Sequence, residues 1–339
     1  MALNLQDRID LLVQLGTILS TEGVNNELLA TAVTQAEIHN PWFSRENILF
    51  AIEAWGNLLT EDNLKQWLEP YDLSRVKPKT IGMVTAGNIP LVGMHDFVSV
   101  LITGHKVLVK QSSNDRFLLP AMAEILKKIR PEIEEYMRFT EHQLKDFDAV
   151  IATGSNNTAR YFQSYFDKYP HIIRRNRNAV AVVTGDETEE ALEQLGEDIF
   201  RYYGLGCRSV SKIFVPDGYN LNKLFKAIYP QQDIIGHNKY KNNYDYNRAV
   251  YLMGGVSVLE NGFVLFKEDA GYASPIAVLY YEYYKSLALL KTRLKADTDQ
   301  IQCVVSTASI DGAIPPGKAQ KPELWDYADG VDTVAFLIR

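Results

Sequence analysis

Ile81-Gly82-Met83-Val84 runs directly into Thr85-Ala86-Gly87-Asn88-Ile89-Pro90. A short apolar run that gives way to small and polar residues reads as a strand ending in a loop, and the same texture recurs through the middle of the chain. Val107 to Val109, Ala149 to Ala152 and Val180 to Val183 are further runs of this kind. Helical patterns separate them: Arg116 to Ile129, and Asn156 to Lys168 with Ala159, Phe162, Phe166 and Tyr169 on one face. Pro131 and Pro170 stop those helices. Strand and helix in alternation imply a parallel sheet with crossover helices, hence an α/β fold. Ligands bind such sheets at the carboxyl ends of the strands, which places the loop from Thr85 to Pro90 where a cofactor or an oxyanion would sit.

Towards the amino terminus, Ile9, Leu12, Leu15 and Leu19 recur at helical spacing, and a second amphipathic stretch covers Leu28 to Ile38. Asn40-Pro41 breaks the pattern, Ser44 is placed as an N-cap, and a helix is expected from Arg45 towards Leu59. Towards the carboxyl terminus, a helix from Glu187 carries Leu192, Leu195 and Ile199 on one side and ends at Gly204, and a strand follows over Lys212 to Val215. The stretch Asp217 to Tyr284 reads as short strands mixed with polar aromatic loops, Tyr240 to Tyr246 among them. One more strand, Ile301 to Val305, precedes a Gly/Pro loop and a tail ending in Thr333 to Ile338.

A chain of 339 residues suggests two lobes with separate cores. The formal net charge of −7 lacks the basic stripe that phosphate neutralisation needs, so no nucleic-acid partner is expected. The start, Met1 to Arg8, has neither a charged n-region nor an apolar h-region, and no apolar run approaches the roughly 20 residues of a membrane helix. The expected address is cytoplasmic. Two cysteines, Cys207 and Cys303, are too few for a disulfide framework or a cysteine zinc site, and no His/carboxylate spacing suits a metal.

Cys207 stands in Gly204-Leu205-Gly206-Cys207-Arg208-Ser209-Val210-Ser211-Lys212. Flanking glycines let the backbone approach a substrate, and Arg208 and Lys212 add positive charge that favours a thiolate. A small buried hydrophobe is the bland alternative. Cys303 lies in an apolar strand and is expected to be buried. Asn88 is suited to donate its amide to an oxyanion, although Gly-Asn pairs also make plain turns. Thr153-Gly154-Ser155 falls between a strand and a helix, a junction suited to phosphate, and a structural Gly with a Ser N-cap explains it equally. Arg174-Arg175-Asn176-Arg177 suits the phosphates of coenzyme A or NADP, or a solvated charged turn. His95-Asp96 and His171 invite acid/base roles, while a structural role is the commoner reading for each of the six histidines, and Glu268 reads locally as a surface carboxylate.

Taken in order, these pieces resemble the aldehyde dehydrogenase superfamily. Nearly the whole chain is similar to the acyl-CoA reductase family that includes the fatty-acid reductase component of bacterial bioluminescence systems. The resemblance sets Ala86-Gly87-Asn88-Ile89-Pro90 against the superfamily's Pro-Trp-Asn-x-Pro loop, which implies an oxyanion role for Asn88 and cofactor contact for Thr85, Ala86 and Gly87. It sets Lys110-Gln111-Ser112-Ser113 against Lys-Pro-Ser-Glu, implying that Lys110 holds the adenosine ribose and that Ser112 and Ser113 line the cofactor site. Gly154 and Ser155 match the Phe-Thr-Gly-Ser turn, and Cys207 matches the nucleophile of Gly-Gln-x-Cys. Glu268 matches the Glu that holds the nicotinamide ribose. Where the superfamily has Glu-Leu-Gly-Gly-Lys, this chain has Ile173-Arg174-Arg175-Asn176-Arg177, with no general-base carboxylate.

The implied architecture is an aldehyde dehydrogenase-like α/β fold: a helical cover and Rossmann-like cofactor lobe over residues 1–185, a catalytic lobe over 186–310, and a tail over 311–339 that returns to the cofactor lobe or to a partner subunit. The implied activity is NADPH-dependent reduction of a fatty acyl-CoA thioester to an aldehyde through acyl-Cys207, with the Cys207 N–H sharing the oxyanion. A hydrolytic aldehyde dehydrogenase and an inactive nucleotide-binding scaffold are the alternatives. A homo-oligomer is left open.

Overall fold

The computed structural model describes residues 3–339. Met1 and Ala2, where the reading of the amino terminus began, lie outside the described residues, and nothing is said of the Asn156 side chain. The chain divides into two compact units, residues 1–175 with 323–339, and residues 176–322.

The first unit opens with four helices, α1 (Leu5–Thr21), α2 (Glu27–His39), α3 (Arg45–Leu58) and α4 (Glu61–Leu68). Their starts are set by polar caps: Asn4 and Asp7 form a capping box, and Asn26, Ser44 and Thr60 each accept a backbone N–H from the first turn. A five-stranded sheet follows, from β1 (Thr80–Val84), β2 (Lys106–Lys110), β3 (Met137–Thr140), β4 (Ala149–Thr153) and β5 (His171–Arg174). Helices α5 (Met94–Ile102), α6 (Leu118–Ile129) and α7 (Asn156–Phe166) make crossovers. The order is β3-β2-β1-β4-β5 with every pairing parallel. The chain leaves β1 for one side of the sheet and resumes at β4 on the other, so the topological switch lies at the carboxyl ends of β1 and β4. Leu108, Phe147, Val150, Ala152 and Phe166 form a core cluster beneath them.

The second unit holds β6 (Asn178–Val182), α8 (Glu189–Phe200), β7 (Val210–Pro216), α9 (Asn222–Ala227), α10 (Asn238–Met253), β8 (Leu259–Glu260), β9 (Leu265–Glu268), β10 (Val278–Tyr284), α11 (Leu287–Ala296) and β11 (Ile301–Ser306). Its sheet runs β11-β6-β7-β10-β9-β8, parallel except for the β8–β9 pair. The tail of the first unit ends in a short helix, α12 (Thr333–Leu337).

The α/β expectation holds, with particular corrections. Tyr240 to Tyr246 is not loop but the first half of α10, because Tyr240, Tyr244 and Asn247 return to one buried face and His237 Nδ1 caps the Tyr240 N–H. Arg174 neither faces solvent nor is placed for a phosphate: it is 4% exposed, and its guanidinium donates to both Asp96 oxygens, the Ala328 carbonyl and Thr333 Oγ1. His95 takes the structural of its two readings: it packs among Trp55, Trp67 and Tyr327, with Nε2 2.8 Å from the Leu324 carbonyl. No helix among the described residues is long and apolar enough to cross a membrane, and none of their His, Cys, Asp and Glu residues cluster as metal ligands.

Candidate functional site

In the first unit, the residues singled out in the sequence converge on the carboxyl edge of the sheet. The Thr85 N–H donates to the Lys110 carbonyl at 3.2 Å, and the Ser112 N–H donates back to Thr85 Oγ1 at 3.1 Å. The loops after β1 and β2 are thereby stitched together. Gly87 is required by that approach, since a Cβ there would lie 2.5 Å from Ser112 Oγ. Lys110 Nζ reaches past the strand end to the carbonyl of Glu141 at 3.1 Å. Ala86 is half-buried, and Asn88 and Ser113 are exposed.

Two further features hold this edge. Leu91 takes a left-handed φ of 56° although 97% of it is withdrawn from solvent, and its N–H donates to Asp115 Oδ2 at 3.3 Å. Burial raises the Asp115 carboxyl to about 6 against the pull of the Leu91 and Leu118 N–H groups. Ser155 caps α7, its hydroxyl accepting the Thr158 N–H, and a Cβ on Gly154 would lie 3.0 Å from Phe162 and Thr158. Nothing in the sequence pointed to Asp115, because a lone Asp after Ser-Ser-Asn reads as loop.

In the second unit, α8 does not run straight into the cysteine loop. Arg201 to Gly204 forms a tight turn in which Tyr202 (φ 56°), Tyr203 (φ 59°) and Gly204 (φ 75°) are all left-handed. Such a conformation costs a non-glycine residue on the order of 1–3 kcal/mol, so the surroundings must hold it. Tyr202 is buried, Tyr203 stacks on His237 with ring centres 4.1 Å apart, and Arg201 is tied back to Glu197. The Leu205 N–H closes on the Tyr202 carbonyl and the Ser209 N–H on that of Gly206, each at 3.0 Å. Cys207 lies in the second of these turns, between Gly206 and Ser209, and is exposed, which a nucleophilic role would require.

Two sequence expectations change here. Lys212 is committed elsewhere than the cysteine loop: its side chain is wholly buried on β7, with Nζ 2.6 Å from Glu282 and 2.9 Å from the Asp269 carbonyl. Cys303 is half-exposed where burial was expected, because β11 is an edge strand and flanks a cavity of about 500 Å³ with Lys291, Lys295 and Asp311. What distinguishes the thiols is backbone: Cys303 sits within strand β11, where the pairing with β6 shifts register, and Cys207 sits in the loop that follows the left-handed residues Tyr202 to Gly204. Glu268 is exposed at the carboxyl end of β9.

Comparison with known proteins places this geometry. A profile described as acyl-CoA reductase (LuxC) matches residues 17–229, which include every site candidate except Glu268. Among solved structures, a benzaldehyde dehydrogenase from Corynebacterium glutamicum, described as NAD-dependent, superposes with TM-score 0.66 at 14% identity, covering 92% of this chain and 78% of its own. Aldehyde dehydrogenase 21 from Physcomitrella patens, with succinate, gives 0.65 at 13%, covering 91% and 74%. An aldehyde dehydrogenase from Bacillus cereus, in complex with NAD+, gives 0.62 at 15%, covering 90% and 72%. The fold is aldehyde dehydrogenase-like. No curated protein sequence matches the chain.

Proposed function

The chain belongs to the acyl-CoA reductase (LuxC) family, and from that premise we propose that it reduces a fatty acyl-CoA thioester to the aldehyde with NADPH, through an acyl-enzyme on Cys207. The observation that carries this reading is an exposed thiol in the short turn that follows three successive left-handed residues, Tyr202 to Gly204, within the span that matches the family. Backbone strain next to an exposed cysteine supports a group held for reaction.

The Cys207 sulfur attacks the thioester carbonyl, the new C–S bond forms, and the bond to coenzyme A breaks, coenzyme A leaving with the proton that Cys207 gives up. The Cys207 N–H and the exposed Asn88 amide are assigned to the charge developing on the carbonyl oxygen. The donor set at the edge of the first sheet suits a dinucleotide: the Lys110 ammonium, the Ser112 and Ser113 hydroxyls, and the N-terminus of α7 at Gly154-Ser155. The Thr85 and Gly87 contacts keep those loops together. NADPH held by these residues would supply the hydride, and the C–S bond to Cys207 would then break with the electron pair returning to the sulfur and the acyl group leaving as aldehyde. Glu268 is assigned to the nicotinamide ribose.

The purified protein is incubated with a long-chain acyl-CoA and NADPH, and coenzyme A, aldehyde and acid are measured. Coenzyme A released one-to-one with aldehyde is the expected result. Acid as the main product supports the hydrolytic alternative, and no turnover supports the scaffold.

A further inference from the structure

The Cys207 loop is braced by a segment far from it in sequence. Asp198, on α8 and wholly buried, accepts the Gly317 N–H at 2.7 Å on one oxygen and the Ala319 N–H at 3.0 Å on the other. This fixes a turn in which Gly317 has φ 79°, and in which a Cβ would lie 3.1 Å from Gln194. The next residue, Gln320, is 8% exposed and directs Nε2 to Ser209 Oγ at 3.3 Å. Ser209, 3% exposed, directs its hydroxyl to the Arg201 carbonyl at 3.5 Å, at the entrance of the left-handed turn. A Gln Nε2 can only donate, so Ser209 Oγ accepts from Gln320 and its own proton is directed to Arg201.

We infer that Gln320 is a positioning residue for the nucleophile: anchored through Asp198, it fixes the Ser209 hydroxyl that closes the Arg201–Ser209 loop carrying Cys207. The inference rests on the reading of Cys207 as nucleophile. Both contacts are at the long end of the hydrogen-bond range. Their value lies in geometry, since a small displacement of a reacting group lowers its rate steeply.

The test compares Gln320→Met, Ser209→Ala and the double variant, each checked for folding by circular dichroism. The rates of Cys207 acylation by acyl-CoA and of alkylation by iodoacetamide are measured alongside the NADPH KM. Each single variant is expected to slow acylation on the order of 10- to 100-fold with the NADPH KM unchanged. The double variant is expected to be no slower than the slower single, because both remove one relay. Gln320→Glu should be slow at neutral pH, where a carboxylate accepts the hydrogen bond of the Ser209 hydroxyl and draws it from the Arg201 carbonyl, and should recover as that carboxyl is protonated and can donate. Lower thermal stability with unchanged acylation and alkylation rates in the folded protein would overturn the inference, as would single effects that multiply in the double variant. A wild-type Cys207 that alkylates but never acylates contradicts the acyl-enzyme reading; the alkylation rates then decide the relay by the same comparison.

Discussion

Lys212 Nζ lies 2.6 Å from Glu282 Oε2 on the adjacent strand, with no part of the lysine side chain exposed. Burial pushes the ammonium below its ordinary range against the hold of Glu282. Burial alone would raise Glu282, but the bonds from Arg293 and Lys212 outweigh it and keep the carboxyl low. Glu282→Ala leaves that ammonium in the core without its carboxylate, a loss on the order of 3–5 kcal/mol. Urea unfolding should register it, whereas the pH dependence of Cys207 alkylation in the folded protein should stay as in the wild type. A shifted alkylation profile would show that Lys212 acts on the thiol after all.

The buried carboxyls give stability a pH dependence. Asp115 and Asp198 are both raised to about 6, chiefly by burial, so the folded protein binds protons that the unfolded chain has already lost. Each therefore contributes stability that is complete below about pH 4 and lost as pH rises through about 6. Asp115→Asn should flatten the fall in urea stability between those limits relative to wild type. A wild type and variant with parallel pH profiles would rule the assignment out.

On the proposed reading, cofactor choice rests on Ser113, which is exposed just after β2, where a carboxylate would repel a 2′-phosphate. NADPH should serve at least as well as NADH, and Ser113→Glu should move the preference towards NADH. A wild-type preference for NADH of tenfold or more, about 1.4 kcal/mol, contradicts this.

Acyl-enzyme should persist in water. A positioned general base contributes about 10²–10⁴-fold to hydrolysis. Glu187 is committed elsewhere: it accepts the N–H and hydroxyl of Thr184, the Gly185 N–H and the Thr307 hydroxyl. Glu268→Gln should leave acylation intact and slow aldehyde release, as loss of a ribose contact would. Rapid decay of the adduct to acid without NADPH, abolished in Glu268→Gln, would make Glu268 a base instead.

The sheets were legible because parallel strands covered on both faces read as unbroken apolar runs, as Ile81–Val84 and Ala149–Ala152 do. The cysteine loop was legible through its glycines. Its left-handed turn was not, since Tyr202 and Tyr203 are residues that avoid that conformation and only the surrounding contacts impose it. Lys212 misled because its partner lies 70 positions away, and no local pattern shows whether a strand lysine points into a core. Asp198 was hidden for the same reason: on an amphipathic helix an acid reads as solvent-facing, and only Gly317 and Ala319 explain its burial.

The central claim is most directly tested by mass spectrometry of the protein after brief exposure to long-chain acyl-CoA without NADPH. One acyl group should be found on the peptide bearing Cys207, stable until NADPH is added and then released as aldehyde. An adduct on Cys303, or full reductase activity in Cys207→Ala, would contradict the account.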